Sequence, residues 1–152
     1  MRTKLHLTLW LIALFLGLMG TSLHARGQTS GNFGKDNALK WEYSYVTRTL
    51  TISGQGEMPD YNTPANLPWN HVRNDATKVI IEEGITYIGA YSFCLYDNLV
   101  SVDLPKSLTR IGAFAFSGCP ILSSIDIPEG VIRINMGAFE NCISLSSITL
   151  PK

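Results

Sequence analysis

The chain has 152 residues, of which 45% are hydrophobic and only 16% are charged. This composition predicts a single domain with an apolar core and excludes a disordered tail. Twelve basic and twelve acidic residues give a formal net charge of zero. The charge balance gives no reason to expect a nucleic acid as partner, and we predict none.

The first 27 residues have the layout of a secretory signal peptide. Arg2 and Lys4 form a positive start, residues 5–19 are mostly apolar, and small residues follow around Ala25. The apolar run is shorter than the ~20 residues that a membrane-spanning helix needs. We therefore expect a cleaved signal, no membrane span after cleavage and a secreted or cell-surface product, with an uncleaved anchor as the alternative. Cleavage would leave nine basic against twelve acidic residues.

Two segments follow the predicted signal and precede a repetitive region. Residues 28–38 are rich in Gly, Ser, Asn and Lys, which predicts a flexible lead-in. Apolar residues then alternate with polar ones, and the alternation resumes after a turn near Arg48, which predicts a β-hairpin. The alternating residues are Trp41, Tyr43, Tyr45, Leu50 and Ile52.

Residues 39–78 are interpreted as an N-terminal cap, because one end of a stacked array needs an atypical unit to close it. The aromatic residues of this segment have two interpretations. Aromatics on a strand most often serve a core, but Trp41, Tyr43 and Tyr61 would also suit a platform that stacks on sugar rings.

A 23-residue repeat fills the second half of the chain. One unit cannot bury its apolar face alone, whereas stacked units share a continuous core. We predict a mainly β, right-handed solenoid over residues 79–152, with three full units, the strand of a fourth, and parallel strands about 4.8 Å apart. A column of Gly89, Gly112 and Asn135 predicts a left-handed turn in each unit. The apolar columns include Val79, Val102, Ile125 and Ile148; Phe93, Phe116 and Phe139; and Leu99, Leu122 and Leu145.

Two motifs connect these units to a known family. They are Ile111-Gly112-x-x-Ala115-Phe116-x-x-Cys119 and Ala138-Phe139-x-x-Cys142-x-x-Leu145. On these motifs the units resemble leucine-rich repeats of the BspA-like type, found in surface proteins of Bacteroides and related anaerobes. Tyr96 and Asn135 depart from the cysteine and glycine usual at their positions. The resemblance implies a bacterial surface or secreted protein that adheres to host extracellular-matrix proteins or other cells.

The outward positions of the repeat strands form the candidate protein-binding face. Solenoids commonly bind partners through such an extended sheet surface. Ser and Asp are also ordinary residues on a solvated surface, so plain solubility is the competing interpretation. The face consists of Lys78, Ile80, Ser101, Asp103, Ser124, Asp126, Ser147 and Thr149.

Two further columns carry charge. Arg110 and Arg133 form a like-charge pair that would favour an anionic partner, although water can solvate both. The second column alternates in sign from unit to unit, which predicts opposite-charge pairs that fix the register. It consists of Glu83, Lys106, Glu129 and Lys152.

The residues give little support for catalysis. A histidine-activated nucleophile in residues 28–152 would have only His71 as its base. Asp103 and Asp126 would lie about 5 Å apart on neighbouring strands, the carboxylate separation of a retaining glycosidase, but they face solvent. We predict that the chain is not an enzyme, has no catalytic residues and needs no cofactor.

Cys119 and Cys142 occupy one repeat column, and Cys94 lies two positions off it. An exported compartment permits a disulfide between the first two, but parallel stacking makes its dihedral angle awkward. Buried free thiols are the competing interpretation, since cysteine behaves as a small hydrophobe. A zinc site that includes His71 would lack the usual Cys-x-x-Cys spacing, and we predict no metal site.

The last residue, Lys152, directly follows the strand of the fourth unit. Ile148 and Leu150 would then present an open apolar edge through which two chains could self-associate. The leading hypothesis is an exported binding module for a protein partner. The alternative is a truncated or self-assembling structural repeat fragment with no ligand of its own.

Overall fold

The computed structural model describes residues 28–149. The predicted signal peptide and residues 150–152 lie outside this range, and so do the predictions made for Leu150 and Lys152. Helix is limited to short 3-10 turns at Lys35–Asn37, Pro64–Asn66 and Asn70–Val72 within the described part. No helix in that part is long and apolar enough to cross a bilayer.

The fold of residues 28–149 is mainly β, as the sequence predicts. Its strands are β1 Ser30–Phe33, β2 Leu39–Ser44, β3 Thr49–Gly54, β4 Gly56–Glu57, β5 Lys78–Ile81, β6 Ile85–Ile88, β7 Ser101–Asp103, β8 Arg110–Ile111, β9 Ser124–Asp126, β10 Arg133–Ile134 and β11 Ser147–Thr149.

The strands assemble into two main sheets. The first sheet has the order β1-β2-β3-β5-β7, the second has the order β10-β8-β6-β4, and β9 pairs with β11. Successive repeat strands pair in parallel, with Val79 opposite Val102 and Ile125 opposite Ile148. Both pairs are one 23-residue unit apart in the sequence. The predicted parallel stacking of repeat units is therefore confirmed.

β3 joins two kinds of pairing in the first sheet. It runs antiparallel to β2, with Trp41 opposite Ile52, and parallel to β5, with Leu50 opposite Val79. Burial alternates along β2 as the sequence pattern predicts, since Trp41 and Tyr43 are buried while Lys40 and Glu42 are exposed. The same strand alternation therefore continues from the N-terminal segment into the repeats.

The prediction of a flexible lead-in at residues 28–38 is wrong. β1 lies in this segment and pairs antiparallel with β2. Phe33 is only 5% exposed, and its ring meets that of Trp69 edge-on at a centroid distance of 4.9 Å. The Gly and Ser content favoured a loop, but one buried aromatic ring and the open edge of β2 are enough to order a strand here.

The aromatic residues form a core rather than a platform. Trp41 is 1% exposed and Tyr43 is 3% exposed, so neither ring is available to stack on a sugar. Inside the repeats, the ring centroids of Phe93 and Phe116 are 5.3 Å apart, and those of Phe116 and Phe139 are 5.6 Å apart, both stacked. Each such pair adds about 0.5–1.5 kcal/mol to the apolar burial.

The glycine column serves a purpose different from the predicted one. Gly89 and Gly112 do not have positive φ. A Cβ on Gly112 would lie 2.6 Å from the backbone nitrogen of Ala90 and 2.7 Å from the carbonyl oxygen of Ile88. Glycine is needed here because neighbouring units approach each other closely at this point.

Candidate protein-binding face

The residues of the predicted face lie on the outward side of the strands, in the first sheet and in the β9–β11 pair. The inward residues Val79, Val102 and Ile125 are buried, which turns their neighbours outward. Five outward residues are exposed, and three, on β5 and β7, are half-buried. The exposed residues are Asp103, Ser124, Asp126, Ser147 and Thr149, and the half-buried residues are Lys78, Ile80 and Ser101.

The outward residues stand in two columns. On β5 and β7, Lys78 lies opposite Ser101 and Ile80 lies opposite Asp103. On β9 and β11, Ser124 lies opposite Ser147 and Asp126 lies opposite Thr149. Within the described residues β7 and β9 lie next to each other but share no ladder of hydrogen bonds.

The two aspartates of the face have different surroundings. Asp103 Oδ2 lies 2.7 Å from Lys78 Nζ and forms an ion pair across β5 and β7. No ion pair involves Asp126 among residues 28–149. Because a paired charge is already compensated, Asp126 is the acid that can offer a full charge to a partner.

The face extends further than the sequence indicated. Thr49 of β3 lies opposite Lys78, and Thr51 lies opposite Ile80, so both columns continue by one strand. Sequence reasoning placed β3 in a hairpin and did not carry the repeat columns into it. The useful signal was the spacing of Leu50 and Ile52, which matches that of Val79 and Ile81.

Asp103 and Asp126 are both exposed, as the sequence predicts for residues that face solvent. Their strands β7 and β9 are neighbours without a hydrogen-bonded ladder between them in the described part. The Asp103 carboxylate forms an ion pair with Lys78. His71 Nε2 lies 2.6 Å from the carbonyl oxygen of Gln28, and its ring packs edge-on against Trp41. These contacts place His71 in the N-terminal segment, away from the aspartates in the sheet.

Cys94, Cys119 and Cys142 are free thiols, and the last two contact the preceding unit. Cys119 Sγ lies 3.3 Å from the carbonyl oxygen of Phe93, and Cys142 Sγ lies 3.1 Å from that of Phe116, in equivalent positions. The hydrogen bond with Cys119 lowers the pKa of Cys142 to about 7, and the same contact with burial raises that of Cys119. Within residues 28–149 no group of three or more His, Cys, Asp or Glu side chains could hold a metal ion.

The alternating-charge column stabilises a turn through backbone contacts. Glu83 Oε1 accepts a hydrogen bond from the Lys106 backbone nitrogen at 2.8 Å, and Oε2 accepts one from the Ser107 nitrogen at 3.1 Å. These bonds lower the pKa of Glu83. The predicted side-chain ion pair between Glu83 and Lys106 is replaced by this double contact.

Solved structures of bacterial repeat proteins share this fold. A leucine-rich repeat protein from Eubacterium ventriosum is 24% identical with a TM-score of 0.57, over 80% of this chain and 44% of that chain. A leucine rich cell surface protein from Faecalibacterium prausnitzii is 22% identical with a TM-score of 0.55, over 80% of this chain and 33% of that one. A leucine-rich repeat protein from Bacteroides capillosus is 16% identical with a TM-score of 0.54, over 82% of this chain and all of that one.

At these identities the similarity shows the fold alone. The chain spans less than half the length of the first two proteins. No curated protein matches the chain. The family profile described as "BspA type Leucine rich repeat region (6 copies)" matches residues 72–152, which is more than half of the sequence. The chain therefore belongs to the BspA-type leucine-rich repeat family.

Proposed function

We propose that this chain is an exported binding module that attaches to a protein through the outward side of its first sheet. The observation that carries the proposal is the pair of outward columns that runs from β3 through β7 and resumes on β9 and β11. Leucine-rich repeat domains typically bind proteins along such a face. Host extracellular-matrix proteins, or proteins on other cells, are the proposed partners.

The proposed architecture is a right-handed solenoid capped by the β2–β3 hairpin. We assign residues 1–27 to a signal peptide, residues 39–78 to the cap and residues 79–152 to the repeats, with β1 as an additional strand of the cap. Export places the repeats on the bacterial surface or in the medium. The Faecalibacterium protein of similar fold is described as a cell surface protein, which supports this location.

Binding, rather than catalysis, is the proposed activity. The outward side chains of the face are hydroxyls, one half-buried isoleucine, one ion pair and one uncompensated carboxylate. Hydroxyls and a carboxylate can accept hydrogen bonds from the Lys and Arg side chains of a protein surface. The face offers these groups along an open sheet, which suits a broad contact with a macromolecule.

Charge reversal at Asp126 tests this proposal. The purified chain is titrated against immobilised fibronectin and fibrinogen by surface plasmon resonance, beside Asp126→Lys and the matched control Glu140→Lys. Glu140 is also exposed and lies in a turn away from the face, so both variants make the same charge change. Binding that is lost in Asp126→Lys and retained in Glu140→Lys supports the face. Binding to neither protein, or equal loss in both variants, would contradict it.

A further inference from the structure

The second sheet carries an outward column with an unusual distribution of charge. Along the order β4, β6, β8 and β10, the column reads Glu57, Tyr87, Arg110 and Arg133, with each residue opposite the next. Two arginines therefore lie side by side on neighbouring parallel strands. Like charges directly opposite each other destabilise a sheet, so this pairing opposes folding unless something compensates it.

Arg110 is compensated within the chain. Its guanidinium forms an ion pair with Glu57. To reach that carboxylate it lies over the ring of Tyr87, with Cζ 4.6 Å from the ring centroid. Tyr87 is fixed in turn, because its hydroxyl donates a 2.6 Å hydrogen bond to Asp60. Arg110 therefore leans away from Arg133 and is held there by two attractive contacts.

Arg133 has no such compensation. It is exposed, and no ion pair involves it in the part of the chain that the structure describes. It lies beside an exposed apolar residue, since Ile132 is 84% exposed. The equivalent positions in the two preceding units hold Thr86 and Thr109, both half-buried. The β10 unit thus replaces a threonine with a large aliphatic side chain directly next to the free cation.

We propose that this basic–aliphatic patch, formed by Arg133 and Ile132 beside Arg110, binds an acidic peptide segment that also carries aliphatic side chains. A carboxylate of the peptide pairs with Arg133, the arginine of this column that has no ion pair among the described residues. An adjacent aliphatic side chain covers Ile132, which removes exposed apolar surface from water. Charge complementarity selects an acidic partner, and the neighbouring isoleucine favours a peptide over a purely polar polyanion. This patch lies on the second sheet and is independent of the proposed face on the first.

Fluorescence anisotropy with defined peptides tests the proposal. A labelled peptide that alternates Glu and Ile is titrated with the purified chain, beside peptides in which Gln or Lys replaces Glu. We expect the Glu–Ile peptide to bind, and its affinity to fall as salt screens the charges. Arg133→Gln should weaken it by about fivefold, the effect of losing one exposed ion pair.

Three further variants complete the test, and the first of them isolates the apolar contact. Ile132→Thr restores the residue of the preceding units and should weaken binding while leaving the fold unchanged, as circular dichroism would verify. Lys106→Gln removes an exposed cation outside the column and makes the same charge change as Arg133→Gln, so it is the control and should leave binding within a factor of about two. Asp126→Lys should have no effect, which separates this patch from the first-sheet face.

Three results would overturn the proposal. The first is absence of Glu–Ile binding, and the second is equal binding of the Lys peptide. The third is tighter, Arg133-dependent binding to heparin or to phosphatidylglycerol vesicles than to the peptide, which would assign the patch to a glycan or a lipid surface.

Discussion

The N-terminal segment 28–77 and the repeats 78–149 pack their aromatic rings in different ways. In the N-terminal segment the rings meet edge-on or tilted, with interplanar angles of 77° for Phe33 and Trp69 and 59° for Trp41 and Trp69. In the repeats, rings at equivalent positions of successive units stack, with angles of 17° for Phe93 and Phe116 and 3° for Phe116 and Phe139. Within one unit, Tyr96 meets Phe93 edge-on at 74°.

This difference follows from symmetry. A repeat copies each side chain into the next unit by a translation, so identical rings arrive parallel to one another. The N-terminal strands run antiparallel and are followed by a loop, so no translation relates their rings. Each of them takes the edge-on or tilted geometry that the ring quadrupole also permits. The repeats therefore distribute their stability over equivalent contacts, whereas the N-terminal segment depends on single contacts.

Replacing Trp69 should have the largest effect, because this residue joins the two regions. Trp69 is completely buried, meets Phe33 edge-on, stacks on Phe93 at 6.1 Å and donates a hydrogen bond to the Ser92 carbonyl oxygen. We expect Trp69→Ala to lower the free energy of unfolding by about 3–5 kcal/mol.

Urea denaturation followed by circular dichroism measures this loss. Phe139→Ala is the comparison, since Phe139 is only half-buried and its ring has a partner on one side, Phe116. If Trp69→Ala lowers the free energy of unfolding no more than Phe139→Ala does, the stability of the protein does not depend on Trp69 at the junction of the two regions.

Gly112→Ala tests close packing inside the repeats. The added methyl group would meet backbone atoms of the preceding unit below 3 Å, and backbone cannot move aside as a flexible side chain can. Overpacking of this kind costs about 1–3 kcal/mol. Asn135→Ala, at the equivalent position of the next unit, adds no atom and is the control. Equal urea midpoints for Gly112→Ala and the parent chain would contradict the proposed close approach.

The repeats were predictable from the sequence because the residues that form their contacts recur every 23 positions, so each contact is indicated several times. The columns of Val79, Val102 and Phe116 gave the parallel register and the core directly. β1 was missed because its anchor, Phe33, is a single apolar residue in a Gly- and Ser-rich stretch. A contact made by one residue does not recur in the sequence, so periodicity cannot predict it.

The turn conformations show a second limit. Positive φ occurs at Tyr91, Phe114 and Gly137, which share one repeat column, and not at Gly89 or Gly112. Two bulky residues, Tyr91 and Phe114, therefore adopt a positive φ, which usually favours glycine. Their rings stack on each other at a centroid distance of 5.2 Å. The glycines indicated the wrong column for the left-handed turn. Glycine can be required where two backbones approach closely, as well as where φ is positive.

The outward columns were predictable as positions but not as chemistry. Strand alternation placed Asp103 and Asp126 outward, but it did not show that their surroundings differ. The charge of Asp103 is compensated by a diagonal ion pair with Lys78. This ion pair depends on side-chain conformations, which the spacing of residues in the sequence does not predict.

Cys119→Ala should separate the two thiols of the repeat column. The hydrogen bond with Cys119 lowers the pKa of Cys142 to about 7, so removing the Cys119 thiol should raise it. Iodoacetamide labelling of Cys142, followed by mass spectrometry against pH, should then need a higher pH for its half-maximal rate. We expect a stability loss of only about 1 kcal/mol, because one small buried group is removed. An unchanged labelling profile would show that the two thiols do not interact.

The smallest expected effect concerns Glu83, because its side chain is exposed. Hydrogen bonds from the Lys106 and Ser107 backbone nitrogens lower its pKa in the folded state below the ordinary value of 4.5. A carboxylate with a depressed folded pKa stabilises the protein above its unfolded pKa, and this stabilisation is lost as pH falls through the folded pKa. Glu83→Ala should therefore be less stable than the parent at neutral pH and equal to it in strong acid. Glu140→Ala, which removes an exposed carboxylate elsewhere in the repeats, is the control in the same urea titrations. A pH profile of Glu83→Ala that is parallel to that of Glu140→Ala would mean that the turn contact contributes nothing, and that this repeat is held by its core columns alone.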